Sequence, residues 1–131
     1  MEDEHQDALP FKIVLVGDAG VGKTCIIKRF TENSFNEEEI TSSNVSYTKK
    51  FVSFEEYNNQ EILFKVWDTM GQEKFRSLIK LFYQGAKAAI LVYDITNPNT
   101  FKSIKEYWYS QIKNFGEKDV SMFNIYLILK N

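Results

Sequence analysis

Phe11-Lys12-Ile13-Val14-Leu15-Val16-Gly17-Asp18-Ala19-Gly20-Val21-Gly22-Lys23-Thr24 is the stretch that decides the fold. Its first half is a short apolar run with β-branched residues, bounded by Gly17, and such a run suits a strand buried on both faces. From Lys23 the spacing turns helical, with Ile26, Ile27 and Phe30 on one side and an end near Thr31-Glu32-Asn33. Between strand and helix, Gly17 to Thr24 reads G-x-x-x-x-G-K-[ST] in the setting its chemistry requires. Glycines let successive backbone N–H groups converge on a polyphosphate, and the helix N-terminus adds partial positive charge. Lys23 supplies a point charge for β- and γ-phosphates, and the Thr24 hydroxyl is a hard oxygen suited to Mg²⁺.

Working outward, Ser34 to Ser46 is polar, acidic and aperiodic, which predicts a mobile loop. Tyr47 to Phe54 and Glu61 to Asp68 predict strands, the second with Ile62, Phe64 and Val66 in alternation, and Glu55 to Gln60 joins them as an antiparallel hairpin. Phe75, Leu78, Ile79 and Phe82 recur at helical spacing; Ala88 to Tyr93 is a second fully apolar strand, closed by Asn97-Pro98-Asn99. The clearest helix carries Phe101, Ile104, Trp108, Ile112 and Phe115 on one stripe, which reads as core packing, with Asn99 or Thr100 as N-cap and Gly116 past its end. Phe123 to Leu129 is a last strand. Strands alternating with helices predict an α/β fold with a mostly parallel sheet, its chemistry on loops at the strands' carboxyl ends.

The chain has 131 residues, 44% hydrophobic and 26% charged, which is material for one domain. We divide it into a flexible acidic tail, residues 1–10, and a folded part, residues 11–131. A net charge of −2 argues against a general nucleic-acid binder, so any phosphate site is local. Cys25 is the only cysteine, which rules out an intramolecular disulfide and fits a reducing compartment. No apolar run approaches the ~20 residues of a membrane span, Met1 to Asp7 lacks the pattern of a signal peptide, and Leu129-Lys130-Asn131 offers no cysteine for prenylation. A cytoplasmic protein without an encoded membrane anchor is expected. His5 stands alone in the tail, Cys25 reads as a small packing residue, and Glu37-Glu38-Glu39 as a solvated loop face.

A second signal closes the hairpin. Asp68-Thr69-Met70-Gly71-Gln72-Glu73 places a carboxylate and a glycine three residues apart at a strand's carboxyl edge. Asp68 can hold a metal, usually through water because Mg²⁺ dehydrates reluctantly, and the Gly71 N–H can meet a γ-phosphate.

Together these stretches resemble the small GTPases of the Rab branch. The resemblance runs from Phe11 to Asn131 and includes Trp67-Asp68-Thr69-Met70-Gly71-Gln72-Glu73, Phe82-Tyr83-Gln84-Gly85-Ala86 and Leu91-Val92-Tyr93-Asp94-Ile95-Thr96. It implies the G domain of P-loop NTPases, with one antiparallel hairpin strand and flanking helices. It also implies slow cycling between GTP and GDP states with Mg²⁺, as a switch for intracellular vesicle traffic. By the same resemblance Gly17, Asp18, Ala19, Gly20, Val21, Gly22, Lys23, Thr24 and Cys25 surround the phosphates, Phe35 packs on the guanine, and Thr24, Ser42 and Asp68 serve the metal. Gln72 orients the attacking water, and a GAP arginine accelerates hydrolysis. Exchange factor, GAP and effectors would bind through Ser34–Ser46 and Gly71–Phe82. Full-length relatives associate peripherally with endomembranes.

The sequence departs from the family at several points. Ser42-Ser43-Asn44 stands where Thr-Ile-Gly is usual, so the hydroxyl is kept and the rotamer-restricting methyl is lost. Met70 replaces a small alanine beside Gln72, and Ala19 replaces glycine or serine. The guanine-reading Asn-Lys-x-Asp motif would begin at Asn131, so the aspartate that discriminates guanine from adenine is not in this sequence. The resemblance places a last strand and two helices beyond that point, and without them Phe123 to Leu129 is expected to be an exposed apolar edge that lowers stability. A second reading is therefore a nucleotide-binding or nucleotide-free interaction module with little hydrolysis. Ser42-Ser43-Asn44 and Met70 favour it, while Gln72 and Lys23 favour the enzyme.

Overall fold

The computed structural model describes residues 5–31, 38–40, 45–69 and 79–127. Six strands form one sheet: β1 (Leu9–Val16), β2 (Glu38–Ile40), β3 (Val45–Phe54), β4 (Gln60–Thr69), β5 (Ala88–Asp94) and β6 (Ser121–Leu127). Their spatial order is β2-β3-β4-β1-β5-β6. β1 pairs in parallel with β4 and β5, and β5 with β6, while β3 alone runs against its neighbours β2 and β4. This is the mostly parallel α/β sheet with one antiparallel strand that the hydrophobic pattern predicts.

The apolar run of β1 is buried on both faces because each face has its own helical cover. Leu15 joins Val66, Val92 and Val21 on the side covered by α1 (Lys23–Thr31), where Ile26, Ile27 and Phe30 complete the cluster. Val14 and Val16 point the other way and pack with Phe82 and Tyr83 of α2 (Ile79–Tyr83), Ala89, Leu91, Ile104, Trp108 and Ile112. That second face is covered by one continuous helical run: α3 (Pro98–Ser103), a π-helical segment (Ile104–Trp108) and α4 (Tyr109–Phe115). No helix among the described residues is long and apolar enough to cross a membrane.

Several expectations need correction. The acidic stretch is not wholly loop: Glu38–Ile40 pairs with Ser46, Tyr47 and Thr48 as β2. The strand β1 also takes in Leu9 and Pro10, which pair with Ile62 and Leu63. His5 is not alone, since its ring stacks on Phe51 at 3.8 Å and its Nδ1 lies 2.6 Å from Glu61 Oε1. The N-cap of α3 is Asn97, whose side chain accepts from the Asn99 N–H, because Pro98 occupies the first helical position, where its fixed φ is favourable. On the aromatic stripe, Ile104, Trp108 and Ile112 are buried, but Phe101 and Phe115 are about two-fifths exposed. A π turn holds an extra residue, so a stripe drawn at 3.6-residue spacing slips across it. Cys25 is exposed and does not pack in the core.

At the hairpin, a 3₁₀ turn (Glu55–Tyr57) leads into Asn58 and Asn59, both in the left-handed region with φ of 57° and 58°. Asparagine tolerates that region better than other non-glycine residues. On β6, Phe123 and Tyr126 are more than half exposed.

Candidate functional site

β1 ends at Val16, and the chain turns off the sheet at Gly17, where φ is +148°. A Cβ there would lie 2.2 Å from the Val92 carbonyl oxygen on β5, so only glycine lets the loop leave so close to its neighbour. Gly20, at the loop's crest, has φ of +81° with open space around it, and glycine serves conformation there. Val21 is almost fully buried in the α1-side cluster and pins the loop's second half. α1 then begins, with the Ile26 N–H donating to Gly22 O at 3.1 Å.

Lys23 is the first residue of α1 and only 8% exposed. Its ammonium donates to Gly17 O at 2.6 Å, so the side chain runs back across the loop to the loop's own first residue. The carbonyl offsets part of the cost of burying the charge. The result is a cation held at the centre of a turn of backbone amides, at the carboxyl end of the central strand and the amino end of a helix. That arrangement accepts an anion.

Asp68 lies at the end of β4, 4% exposed, and the parallel register sets it beside Leu15, level with the base of the loop. Thr24 and Cys25 are exposed in the first turn of α1, and Ala19 and Gly20 are exposed in the loop. The structure therefore brings Gly17, Asp18, Ala19, Gly20, Val21, Gly22, Lys23, Thr24, Cys25 and Asp68 to one edge of the sheet. Phe35, Ser42, Met70, Gly71, Gln72 and Asn131 lie outside the described residues. Among the described residues no three or more His, Cys, Asp or Glu gather as a metal cluster. The Thr24 hydroxyl and Asp68 carboxylate are hard oxygens of the kind Mg²⁺ takes when substrate phosphates and waters supply most of its shell.

Two relationships escape sequence reasoning. The Trp108 indole Nε1–H donates to Asp18 Oδ1 at 3.0 Å, tying the π segment to the loop across 90 residues of chain. The stripe pattern marks Trp108 as core and carries no sign of that bond. Lys12 of β1 donates to Leu81 O at 3.1 Å and Gln84 O at 2.8 Å, at the carboxyl end of α2, and its Nζ lies 4.2 Å from the centroid of the Trp67 ring. Partial burial, helped by the neighbouring Lys65 charge, pushes its pKa down to about 8.

A phosphate-type loop on a sheet with β1 central, a buried carboxylate on the adjacent strand and helices on both faces defines a P-loop nucleotide-binding domain. The profile of the Roc family, described as Ras of Complex, Roc, domain of DAPkinase, matches residues 12–129, and the chain belongs to this family of Ras-superfamily GTPase domains. The chain is also similar to Rab proteins. It is 40% identical over 110 residues to Ras-related protein Rab-8B of Homo sapiens and of Bos taurus, a match covering 84% of this chain and 51% of the relative. It is 39% identical over the same length and shares to Ras-related protein Rab-8A of Rattus norvegicus. The chain thus spans about half the length of the curated relatives it matches.

Proposed function

We propose that this chain binds GTP and GDP with Mg²⁺ at the Gly17–Thr24 loop and cycles between the two states by slow hydrolysis, as a switch in vesicle traffic. The observation that carries this reading is the buried Lys23 ammonium, fixed to Gly17 O at the centre of the loop. An incoming β- or γ-phosphate oxygen would compete for that ammonium, with the loop amides and the positive end of α1 completing its cradle. Thr24 and Asp68 are the described residues that would hold Mg²⁺, with Ser42 as a third oxygen donor. When bound, that ion would neutralise charge developing on the phosphates.

Gln72 is assigned to orienting the attacking water, and Phe35 and Asn131 to the base, on the family resemblance. An exchange factor, a GAP and effectors are the partners this reading requires, at Ser34–Ser46 and Gly71–Phe82. A cytoplasmic location belongs to the same reading, and by the resemblance it is the full-length relatives that associate peripherally with endomembranes.

Affinities for GTP, GDP and ATP, followed by single-turnover hydrolysis with Gln72→Leu as control, test the proposal. GTP and GDP are expected to bind, with slow hydrolysis that Gln72→Leu abolishes, and the ATP arm reads how far guanine is preferred without the discriminating aspartate. Guanine binding without hydrolysis would favour the interaction module instead, and no nucleotide binding would defeat both.

A further inference from the structure

Asp18 places a carboxylate beside a site whose other features attract anions. The structure supplies a partner for it from the far side of the chain. Trp108 is 8% exposed, anchored between Ile104 and Ile112 in the same buried cluster, and its indole N–H donates to Asp18 Oδ1 at 3.0 Å. Its ring also lies 5.9 Å from the Lys23 ammonium. The residue sits in the π-helical segment of the α3–α4 run, and local widening of a helix by a π turn re-aims side chains and is frequent at functional sites.

From this geometry we infer that Trp108 is a positioning residue for polyphosphate binding: its indole N–H holds the Asp18 carboxylate out of the phosphate cradle. A hydrogen bond from a neutral donor to an ionised acceptor is stronger than one between neutral groups, and here it fixes a charge as well as a loop conformation. Without it the carboxylate is free to turn toward the Lys23 ammonium, competing with phosphate for the same cation and repelling it. The bond also makes the α3–α4 run a wall of the site, so the loop's shape depends on packing around Ile104 and Ile112. The inference rests on the nucleotide reading above and assigns a residue which that reading does not use.

The test is a double-mutant cycle on the 131-residue chain, using a fluorescent N-methylanthraniloyl GDP with Mg²⁺ and following its dissociation. Trp108→Phe keeps an aromatic ring in the core and removes the N–H. It is expected to weaken GDP binding by about tenfold, mostly through faster release. In the Asp18→Asn background, where no charge remains to be held away, the same change is expected to cost less than about twofold. Equal losses in both backgrounds would mean a general packing effect and overturn the inference, as would no loss in a chain that binds GDP. If the unsubstituted chain fails to bind GDP, the nucleotide reading itself falls, and this inference with it.

A second measurement needs no change at Trp108. With only two tryptophans in the chain, the ¹⁵N indole resonance of Trp108 can be assigned against that of Trp67. Asp18→Asn is expected to shift it upfield and speed its hydrogen exchange, and an unmoved resonance would overturn the inference.

Discussion

Gly17 and Val92 are packed backbone against backbone: a methyl group on Gly17 would reach within 2.2 Å of the Val92 carbonyl oxygen. The first residue of the loop is thereby pressed against β5, and the loop's starting direction is set by the sheet. Gly17→Ala must push the strand aside and also hold a φ of +148° that alanine rarely adopts. The expected loss is about 2–4 kcal/mol of unfolding free energy, read from the urea midpoint at unchanged slope. An unmoved midpoint would show that the loop leaves the sheet by another path.

Thr100 links the end of β5 to the start of α3. Its buried hydroxyl accepts from the Asp94 N–H at 2.9 Å and donates to Asn97 O at 2.7 Å. Thr100→Val keeps the shape but takes the hydroxyl acceptor from the Asp94 N–H, while Asn97 O keeps the Thr100 N–H, so a loss of about 1–3 kcal/mol is expected. Thr100→Ser, which keeps the hydroxyl, should recover most of it in the same chemical denaturation series.

Lys12 gives the stability a pH signature. Its pKa falls from 10.5 in the unfolded reference to about 8 in the fold, chiefly through burial and secondarily through Lys65. Between those values the unfolded chain binds more protons than the native one, so stability rises with pH across the window, and below pH 8 the full penalty applies. Because the group is only partly buried, solvent screening keeps the effect small. Wild type should gain melting temperature relative to Lys12→Met as pH is raised from about 8 toward 10. A constant difference would mean that the ammonium is better solvated than its surroundings indicate.

Much of this fold is written locally. The Phe11–Val16 run, the glycine-rich turn and the helical spacing from Lys23 predict β1, the loop and α1, because each pattern reports on its own few residues. The hairpin is legible for the same reason. What escapes is whatever depends on distant chain segments. Trp108 meets Asp18 across 90 residues and His5 meets Glu61 across 56, and no periodicity encodes either meeting. Local irregularity escapes as well. The π segment at Ile104–Trp108 leaves no mark in the hydrophobic pattern, and it misleads that pattern about Phe101 and Phe115. β2 is hidden because Glu38–Ile40 is a three-residue edge strand, too short to carry a periodic pattern.

Equilibrium titration of GDP with Mg²⁺ into wild type and Lys23→Ala reads whether the loop closed by Lys23 grips nucleotide phosphates, as proposed. The alanine variant, with its native circular dichroism intact, is expected to lose at least about a hundredfold in affinity. Affinity unchanged to within about twofold would contradict the proposal, since phosphate binding could not then depend on the one buried ammonium at the loop's centre.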